Sequence, residues 1–315
     1  MAKSYGVPYM GSKNSIAPWI VEHLPRAEVL VEPFAGGCAV THCALEAGAF
    51  ERFVCNDIVD APQLFVDAIA GKYADEERWI SREDFFMFKD ADPYIRYCWS
   101  FGNNGRDYLY SREIEPLKHA LWELIVKSKT QTDRARNIRA YIKAFYNLLG
   151  VADDCTQELL VKKFAQSQSV QRLQRLQSLQ KLKPLLSRIT VTQSTYNNMD
   201  IPPNATIYCD PPYRGTQQYN GSTFDFDAFD EWVDALPQMA VISEYTAPAG
   251  CVEVARIDKT CSLSATNNSK VSVERLFVQE RFADEYRERV HTEDVAGALF
   301  EGKQAQTTSK KRVSA

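Results

Sequence analysis

The segment Asp210-Pro211-Pro212-Tyr213 follows the apolar run ATIYC and combines residue types that can act on an amine attached to an aromatic ring. The lone pair of such an amine is delocalised into the ring, which makes the amine a poor nucleophile. The Asp210 carboxylate and the Pro211 carbonyl can accept its N–H groups and localise that lone pair, and two prolines hold both acceptors rigidly. Tyr213 can stack on a planar base. The pattern predicts a catalytic site, with a simple turn after a strand as the alternative.

A second candidate site is the segment EPFAGGC, which runs from Glu32 to Cys38 after an apolar run. Glycine at such a point permits a tight turn and lets a ligand approach the backbone closely. Asp57, twenty residues after Gly37, ends the next apolar run, and an acid there can accept hydrogen bonds from ribose hydroxyls. The pattern predicts a cofactor that contains adenosine. It departs from G-x-G-x-x-G, which disfavours a dinucleotide, and an ordinary strand-to-helix turn is the alternative.

The N-terminal segment PYMGSK adds a third, weaker candidate. Tyr9 offers an aromatic face, and Lys13 a cation that can meet a ligand carboxylate. Taken in isolation, the segment is more simply interpreted as an N-terminal loop without a binding role.

The elements that must position these sites alternate between strand and helix. EVLVEPF and RFVCNDI are predicted strands, and CAVTHCALEAG and APQLFVDAIA are predicted helices between and after them. Strands resume at RITVTQ and ATIYC and continue through QMAVISEY, CVEVARI and VSVERLFVQE. This order predicts an α/β fold with a parallel sheet of six or seven strands and helices packed on its faces.

Composition narrows the class of protein. Of 315 residues, 45% are hydrophobic and 25% are charged, which is enough to form a sizeable core. The chain has no apolar stretch long enough for a membrane span, and its N-terminus lacks the apolar region of a secretory signal. The cysteines form no C-x-x-C pair and the histidines no evident constellation, so neither a disulfide framework nor a metal site is predicted.

The charge pattern is uneven. The net charge is -4, yet Leu159–Met199 contains several basic residues and no acidic one. Because phosphate binding responds to the local field, this region is compatible with a DNA surface, although a solvated helix face explains it as well. Within it, Arg172 and Arg175 are candidate phosphate contacts. The leucines of SVQRLQRLQSLQKLKPLLSR predict a helix packed on the sheet and ended by Pro184.

Taken in order, Y-M-G-S-K, V-E-P-F-A-G-G, N-D and D-P-P-Y resemble the motifs of the Dam-type, D12 class DNA adenine-N6 methyltransferases, especially phage-encoded members. The resemblance covers roughly residues 7 to 280. It implies a Rossmann-like S-adenosylmethionine-dependent methyltransferase sheet with helices on both faces and an inserted, mostly helical DNA-recognition region. The implied division is a catalytic domain at 1–74 and 155–285, a target-recognition region at 75–154 and a flexible tail at 297–315.

The resemblance also implies roles for individual residues. The catalytic residues would be Asp210, Pro211, Pro212 and Tyr213. The residues that bind S-adenosyl-L-methionine would be Tyr9, Lys13, Glu32, Phe34, Ala35, Gly36, Gly37, Asp57, Ile58 and Asp210. The family's loop often reads P-F-x-G-x-G, whereas this chain has Gly36-Gly37-Cys38, and that departure concerns the geometry of the loop.

DNA recognition is expected in the insertion, where Asn103-Asn104-Gly105 predicts a hairpin or tight loop. Candidate contacts to base edges or phosphates, some of which serve only to build the hairpin, are Arg96, Asn103, Asn104, Arg106 and Tyr108.

The expected activity is methyl transfer to N6 of an adenine turned out of double-stranded DNA. The expected partner is DNA, with no membrane and no metal, in a cytoplasmic monomer or weak dimer of a bacterial or phage-infected cell. The open alternatives are an RNA, cytosine or protein-glutamine methyltransferase, a nicotinamide-dependent oxidoreductase, and a non-catalytic phage DNA-binding protein.

Overall fold

The computed structural model describes residues 3–149, 167–215, 224–261 and 270–290. Contacts between residues divide the chain into two compact units. The first unit is composed of Met1–Ser15, Gly36–Ala39 and Val59–Val191, and the second of Ile16–Ala35, Val40–Ile58 and Thr192–Ala315. Residues 75–149 of the predicted insertion lie in the first unit, and the predicted tail, 297–315, lies outside the described residues. A recognition role for the insertion stays a prediction.

The described residues form a seven-stranded sheet with the order β3-β2-β1-β4-β5-β7-β6. Its strands are β1 (Val29–Glu32), β2 (Arg52–Asp57), β3 (Ile189–Gln193), β4 (Ala205–Cys209), β5 (Ala240–Glu244), β6 (Cys251–Cys261) and β7 (Lys270–Gln279). Strands β1, β2, β4 and β5 pair in parallel, with Val31 opposite Val54 on one side and Ile207 on the other. The predicted α/β fold and number of strands are confirmed.

The last two strands differ from the predicted parallel sheet. β7 runs antiparallel to both β5 and β6. Only residues 262–269 separate β6 from β7, and a parallel pair needs a crossover connection of roughly a dozen or more residues. The short connection therefore requires antiparallel pairing at this side of the sheet.

The core of the second unit forms where helices cover the sheet. Every residue of β1, β4 and β5 is buried, as expected for strands covered on both faces. Phe229 and Val233 pack in one cluster with Val31, Ile207 and Ile242. The helices of this unit include α1 (Ala17–Glu22), most of α2 (Ala39–Ala47) and α9 (Phe226–Ala235), and a 3-10 turn (Glu280–Phe282) leads into helical residues 283–290.

The described part of the first unit is mainly helical. Its α-helices are α3 (Ala61–Ala70), α4 (Arg82–Phe88), α5 (Pro93–Cys98), α6 (Glu115–Ile125), α7 (Gln131–Leu149) and α8 (Gln168–Ser178). Local sequence sets several ends: Ser81 and Asp92 cap the first turns of α4 and α5, and Gly71 ends α3 with φ of 99°. Helices α6 and α7 share a small apolar core formed by Leu117, Leu121, Leu124, Tyr141 and Phe145.

The leucine-rich segment forms two kinds of helix in succession. Helix α8 ends at Ser178, and a 3-10 segment (Leu179–Arg188) continues through Pro184. A repeat of three residues matches the 3-10 helix, so Leu179 and Leu182 can both face the interior. The segment packs on α3, and α8 packs on α3 and α5, where the sequence predicted packing on the sheet. The predicted packing on the sheet and the predicted end at Pro184 are both wrong. The same leucine spacing occurs in the α-helix and in the 3-10 segment, and a 3-10 helix tolerates Pro184.

Across the described ranges, no helix is both long enough and apolar enough to cross a membrane. The same residues contain no group of three or more His, Cys, Asp or Glu arranged to hold a metal ion.

Candidate active site

Three strands of the second unit bring the predicted site segments to one edge of the sheet. The neighbouring parallel strands β2, β1 and β4 end at Asp57, Glu32 and Cys209. The segments that follow them therefore lie along the same edge. The chain continues from β1 to β2 on one side and from β4 to β5 on the other, so β1 and β4 flank a topological switch point. In open α/β sheets, ligands bind in the crevice outside the strand ends at this point.

Glu32 lies in the interior of this edge with 2% of its surface exposed. The Thr41 hydroxyl on α2 donates a hydrogen bond to its carboxylate and contacts the Cys55 thiol at 3.1 Å. The pKa of Glu32 is raised to about 8, chiefly by burial, and the negative charge of Asp210 adds to this rise while the hydrogen bonds from Thr41 oppose it. A carboxyl group with this pKa is mostly protonated at neutral pH and therefore adds little negative charge beside Asp210.

Asn56 links the ends of two strands to a third segment, a role that the sequence did not suggest. Its side-chain amide donates to the carbonyls of Pro33 at 3.1 Å and Ser194 at 2.9 Å. Its side-chain oxygen accepts from the Ser194 N–H and from the Thr192 hydroxyl. The Asn56 carbonyl accepts from the N–H of Ala35 at 2.8 Å. Asn56 thus fixes the turn after β1 beside Asp57. The N-D pair in the sequence was a signal for Asp57 only.

The end of β2 offers an acid next to an exposed apolar side chain. Asp57 has 9% of its surface exposed, whereas Ile58 has 65% exposed. The Gln193 side chain donates to the carbonyl of Ile58 at 3.2 Å, which holds the backbone in place. A carboxylate beside an uncovered apolar surface suits a ligand with sugar hydroxyls and a flat ring.

Phe34, which the sequence predicted to bind the cofactor, has a packing role in the structure. Its ring stacks on Tyr196 with centroids 5.3 Å apart and meets Phe224 and Phe229 edge-on. These rings join the apolar cluster of the sheet. Phe34 therefore anchors the turn that continues through Ala35.

The D-P-P-Y segment continues from β4 and is held on several sides. The Tyr208 hydroxyl hydrogen-bonds the Ser243 hydroxyl at 2.8 Å beneath it. Pro211 is buried, whereas Asp210, Pro212 and Tyr213 are half-buried. Burial and then the charge of Asp210 raise the pKa of Tyr208 and Tyr213 well above the ordinary value. Both hydroxyls therefore stay protonated next to Asp210.

The glycine turn and Tyr9 pack together in the first unit. Gly36 has φ of 47°, and a Cβ there would lie 2.8 Å from Cε1 of Tyr9. A Cβ on Gly37 would lie 2.7 Å from Cβ of Tyr9, and the N–H of Val7 donates to the Gly37 carbonyl at 2.8 Å. Glycine is required at positions 36 and 37 because the Cβ of any other residue would collide with Tyr9. The N-terminal segment is thus ordered around the turn.

Two further contacts extend this arrangement within the first unit. The Tyr9 ring lies 5.6 Å from that of Tyr97, whose hydroxyl donates to Asp60 at 3.0 Å. Lys13, the other predicted N-terminal residue, is buried with 8% exposure.

The predicted DNA-contacting residues divide into buried and exposed groups. Arg96 donates to the Asp60 carboxylate and to the carbonyls of Lys89 and Asp90, each at about 2.9 Å or closer. Tyr108 is buried, and its hydroxyl donates to the Ile80 carbonyl at 2.8 Å. These contacts give both residues a structural role, and the geometry offers no support for the DNA contacts predicted for them.

The remaining residues predicted to contact DNA lie in the loop between Phe101 and Tyr108. An antiparallel bridge between Ser100 and Tyr108 closes this loop, in accord with the predicted hairpin or tight loop. The Asn104 side chain accepts from the N–H groups of Arg106 and Asp107 and shapes the turn. Asn103 is half-buried with φ of 59°, and Arg106 is exposed. Of the residues predicted to contact DNA, the exposed Arg106 is thus the best placed to contact a phosphate.

Arg172 and Arg175 have structural contacts in place of the phosphate contacts that the charge pattern indicated. Arg172 donates to the carbonyls of Cys98 at 2.9 Å and Ser100 at 2.8 Å. Arg175 donates to the carbonyls of Gly6 and Tyr5, and burial lowers its pKa to about 10. The basic residues Lys162 and Lys163 of the same stretch lie outside the described residues.

Comparison with known proteins gives two findings that agree with this geometry. The family model described as D12 class N6 adenine-specific DNA methyltransferase matches residues 9–231. The retron Ec67 DNA adenine methylase of Escherichia coli is 27% identical over 243 residues, which are 77% of this chain and 73% of that relative. The region matched by the family model includes the N-terminal segment, the glycine turn, Asp57 and the D-P-P-Y segment.

Proposed function

Since the chain belongs to the D12 class N6 adenine-specific DNA methyltransferases and is thus an enzyme that methylates adenine in DNA, we propose that Asp210–Tyr213 form the site of transfer. The methyl donor that we propose is S-adenosylmethionine. The observation that carries the proposal is the position of Asp210 directly after β4, at the switch point of the sheet. The same position explains why a rigid acceptor pair stands at the edge where ligands of α/β sheets bind.

The proposed chemistry follows from the acceptors around N6 of adenine. The Asp210 carboxylate and the Pro211 carbonyl accept the two N–H groups of the amine and direct its lone pair away from the ring plane. Because Pro211 and Pro212 restrict the backbone, these acceptors need little reorganisation during the reaction. The Tyr213 ring receives one face of the base after it has left the duplex.

The residues at the edge of the sheet fit an adenosine-containing sulfonium donor. When bound, S-adenosylmethionine supplies an electrophilic methyl group. Asp57 is the proposed acceptor for its ribose hydroxyls, and the exposed Ile58 the proposed surface for its adenine ring. The chemistry of this pair supports the assignment, because a carboxylate binds a diol while an apolar side chain accepts a flat ring.

Proposed donor contacts of the first unit are Tyr9, Lys13 and the turn Gly36-Gly37. The support is the close approach of the Tyr9 ring to both glycines, where an added Cβ would collide. Glu32 and Phe34 of the second unit support the donor indirectly, since one is buried and the other packs in the core.

Double-stranded DNA is the proposed acceptor, in the cytoplasm of a bacterial or phage-infected cell. The loop with Asn103 and Arg106 is its proposed contact, supported by the exposure of Arg106. Arg106 would add one phosphate contact and Asn103 a contact to a base edge.

Donor identity can be tested by ligand-induced stabilisation against heat. S-adenosylmethionine and S-adenosylhomocysteine are each expected to raise the melting temperature of the protein, whereas NADH is not. Asp57→Ala should abolish most of this shift. Asp67→Ala is the control and should retain it, because Asp67 lies on α3 and pairs with the exposed Lys72. Stabilisation by NADH alone would contradict the proposal and favour an oxidoreductase.

The acceptor can be tested with methyl-free substrates offered in parallel. Incubation with labelled donor is expected to label double-stranded DNA, with at most minor label in RNA or protein. Label confined to RNA would contradict the proposed acceptor. DNA binding without any transfer from a bound donor would favour a protein that has lost its catalytic function.

A further inference from the structure

Glu274 is a buried carboxylate that touches the D-P-P-Y segment from another strand. It lies on β7 with 2% of its surface exposed, and the hydroxyl of Tyr213 donates a hydrogen bond to it. A buried carboxylate has a large desolvation cost unless it is hydrogen-bonded, and an apolar side chain would be more stable in such a position. Its presence beside Tyr213 therefore indicates a task that an apolar residue cannot perform.

Glu244 is a second buried carboxylate, on the neighbouring strand β5. It accepts hydrogen bonds from the N–H of Arg214 at 3.0 Å and from the N–H of Tyr245 at 2.7 Å. Burial raises its pKa above the ordinary value, and the hydrogen bonds oppose that rise. Arg214 also pairs with Asp230 at 2.6 Å. Glu244 thus joins the end of the D-P-P-Y segment to the residue that follows β5.

Two aromatic rings meet at a right angle between these two carboxyl groups: Glu274 bonds the Tyr213 hydroxyl, and Glu244 bonds the backbone of Tyr245. The centroids of Tyr213 and Tyr245 lie 4.6 Å apart, and their planes meet at 86°. Tyr245 is exposed, with 38% of its surface accessible, whereas Phe229 and Phe277 of the sheet's core are buried. The two rings form a corner, in which Tyr245 is partly exposed, at the edge where the strands end. Such a corner can contact the face and the edge of one flat base.

We propose that Tyr245 is a second aromatic contact for the flipped adenine and that Glu274 is a positioning residue that acts through the Tyr213 hydroxyl. This inference rests on the proposed function and concerns the same site. It extends beyond the family match, which ends at residue 231 and includes neither Tyr245 nor Glu274. Without Glu274 the Tyr213 ring remains present but is no longer fixed at the angle at which both rings meet the base.

The Glu274 part of the proposal is tested by a double-mutant cycle. Tyr213→Phe keeps the ring and removes its hydroxyl, and Glu274→Leu removes the acceptor at similar volume. Each change is expected to lower kcat about tenfold, the effect of one lost hydrogen bond in the site, with KM for DNA changed less. The double variant should be no slower than either single variant. Glu274→Gln, which keeps an acceptor oxygen, should remain within about threefold of the wild type.

A spectroscopic signal separates positioning from a general structural role. The adenine that the wild-type enzyme methylates is first mapped and then replaced by 2-aminopurine, whose fluorescence rises on leaving the stack and falls on contact with an aromatic ring. Tyr245→Leu is expected to weaken binding of the flipped base about tenfold and to raise the 2-aminopurine fluorescence, because one aromatic contact is lost. Tyr245→Phe keeps the ring and should match the wild type. Glu280→Gln, on an exposed residue after β7, is the control that should change neither kcat nor fluorescence.

Two results would overturn the inference. Additive effects of Tyr213→Phe and Glu274→Leu on kcat would show that Glu274 does not act through the hydroxyl. Identical fluorescence and binding for Tyr245→Leu and Tyr245→Phe would show that the second ring does not meet the base. Failure of the proposed function is distinguishable, because the wild-type enzyme would then form no N6-methyladenine in the mapping step.

Discussion

The Thr41 hydroxyl donates a hydrogen bond to the carboxyl group of Glu32 at the buried edge of the sheet, where the charge of Asp210 also raises the pKa of Glu32. The hydrogen bond crosses from α2 to the end of β1. The proposed catalytic carboxylate therefore has a buried, protonated neighbour, and the charge of the site depends on pH.

The stability of the protein should depend on the ionisation of Glu32. Its pKa is raised from 4.5 to about 8, so the folded chain binds one proton more than the unfolded chain between these values. The free energy of unfolding therefore falls as pH rises through that window, by up to about 1.4 kcal/mol per pH unit. Glu32→Gln cannot ionise and should become progressively more stable relative to wild type from pH 5 to pH 8. Urea denaturation across this range measures the difference.

Glu51→Gln, on an exposed carboxylate before β2, is the matched control and should follow the wild-type profile. Parallel profiles for wild type and Glu32→Gln would show that Glu32 is already ionised at pH 5.

Gly6 and Gly48 provide a matched pair for the packing of the N-terminal segment. Both have positive φ, 70° and 64°, but a Cβ on Gly6 would lie 2.8 Å from the backbone nitrogen of Ala39, whereas Gly48 has nothing within 4 Å. Gly48→Ala should cost about 1–2 kcal/mol from backbone strain alone. Gly6→Ala should cost at least about 1 kcal/mol more, because backbone atoms must move. Denaturant titration compares the two; equal losses would mean that the N-terminal segment packs less closely than described.

Asn56→Ala should affect both stability and donor binding. It removes the donor to the buried carbonyl of Pro33 and the donor to the half-buried carbonyl of Ser194, at about 1–3 kcal/mol. Because the turn after β1 and the position of Asp57 both depend on Asn56, the KM for the donor should rise more than kcat falls. Steady-state kinetics with Asn204→Ala serves as the comparison, because the Asn204 side chain donates to the exposed Glu28. An unchanged KM for the donor in Asn56→Ala would contradict this account.

Arg172 and Arg106 should differ in how they affect DNA binding. Arg172→Ala loses bonds to two backbone carbonyls, so stability should fall by about 1–3 kcal/mol while the salt dependence of DNA binding keeps its slope. Arg106→Ala, on an exposed side chain, should keep its stability and lower the magnitude of the slope by about one. DNA affinity at several salt concentrations measures both. The reverse pattern would show that Arg172, and not Arg106, contacts DNA phosphates.

Much of the sheet could be predicted from sequence because its strands are short apolar runs in alternation with helices. The same runs cannot show direction, and the antiparallel β6 and β7 follow from a short connection. Asp57 and Asp210 were predicted because each directly follows such a run, at the position where α/β sheets bind ligands.

The supporting residues could not be predicted because their partners are distant in the chain. Asn56 meets Ser194 across 138 residues, and Tyr213 meets Glu274 across 61. Arg172 was interpreted from its charge, while its actual partners are carbonyls more than 70 residues away. Charge and spacing describe what a side chain can do, and the fold decides which partner it has.

The most direct test of the central claim is mass spectrometry of nucleosides from methylation-free DNA after incubation with S-adenosylmethionine and either the wild-type protein or Asp210→Ala. The wild-type protein should form N6-methyladenine, and Asp210→Ala should form none above background while keeping its fold and its DNA affinity. Equal yields of N6-methyladenine from both proteins, or a methylated cytosine in its place, would contradict the account.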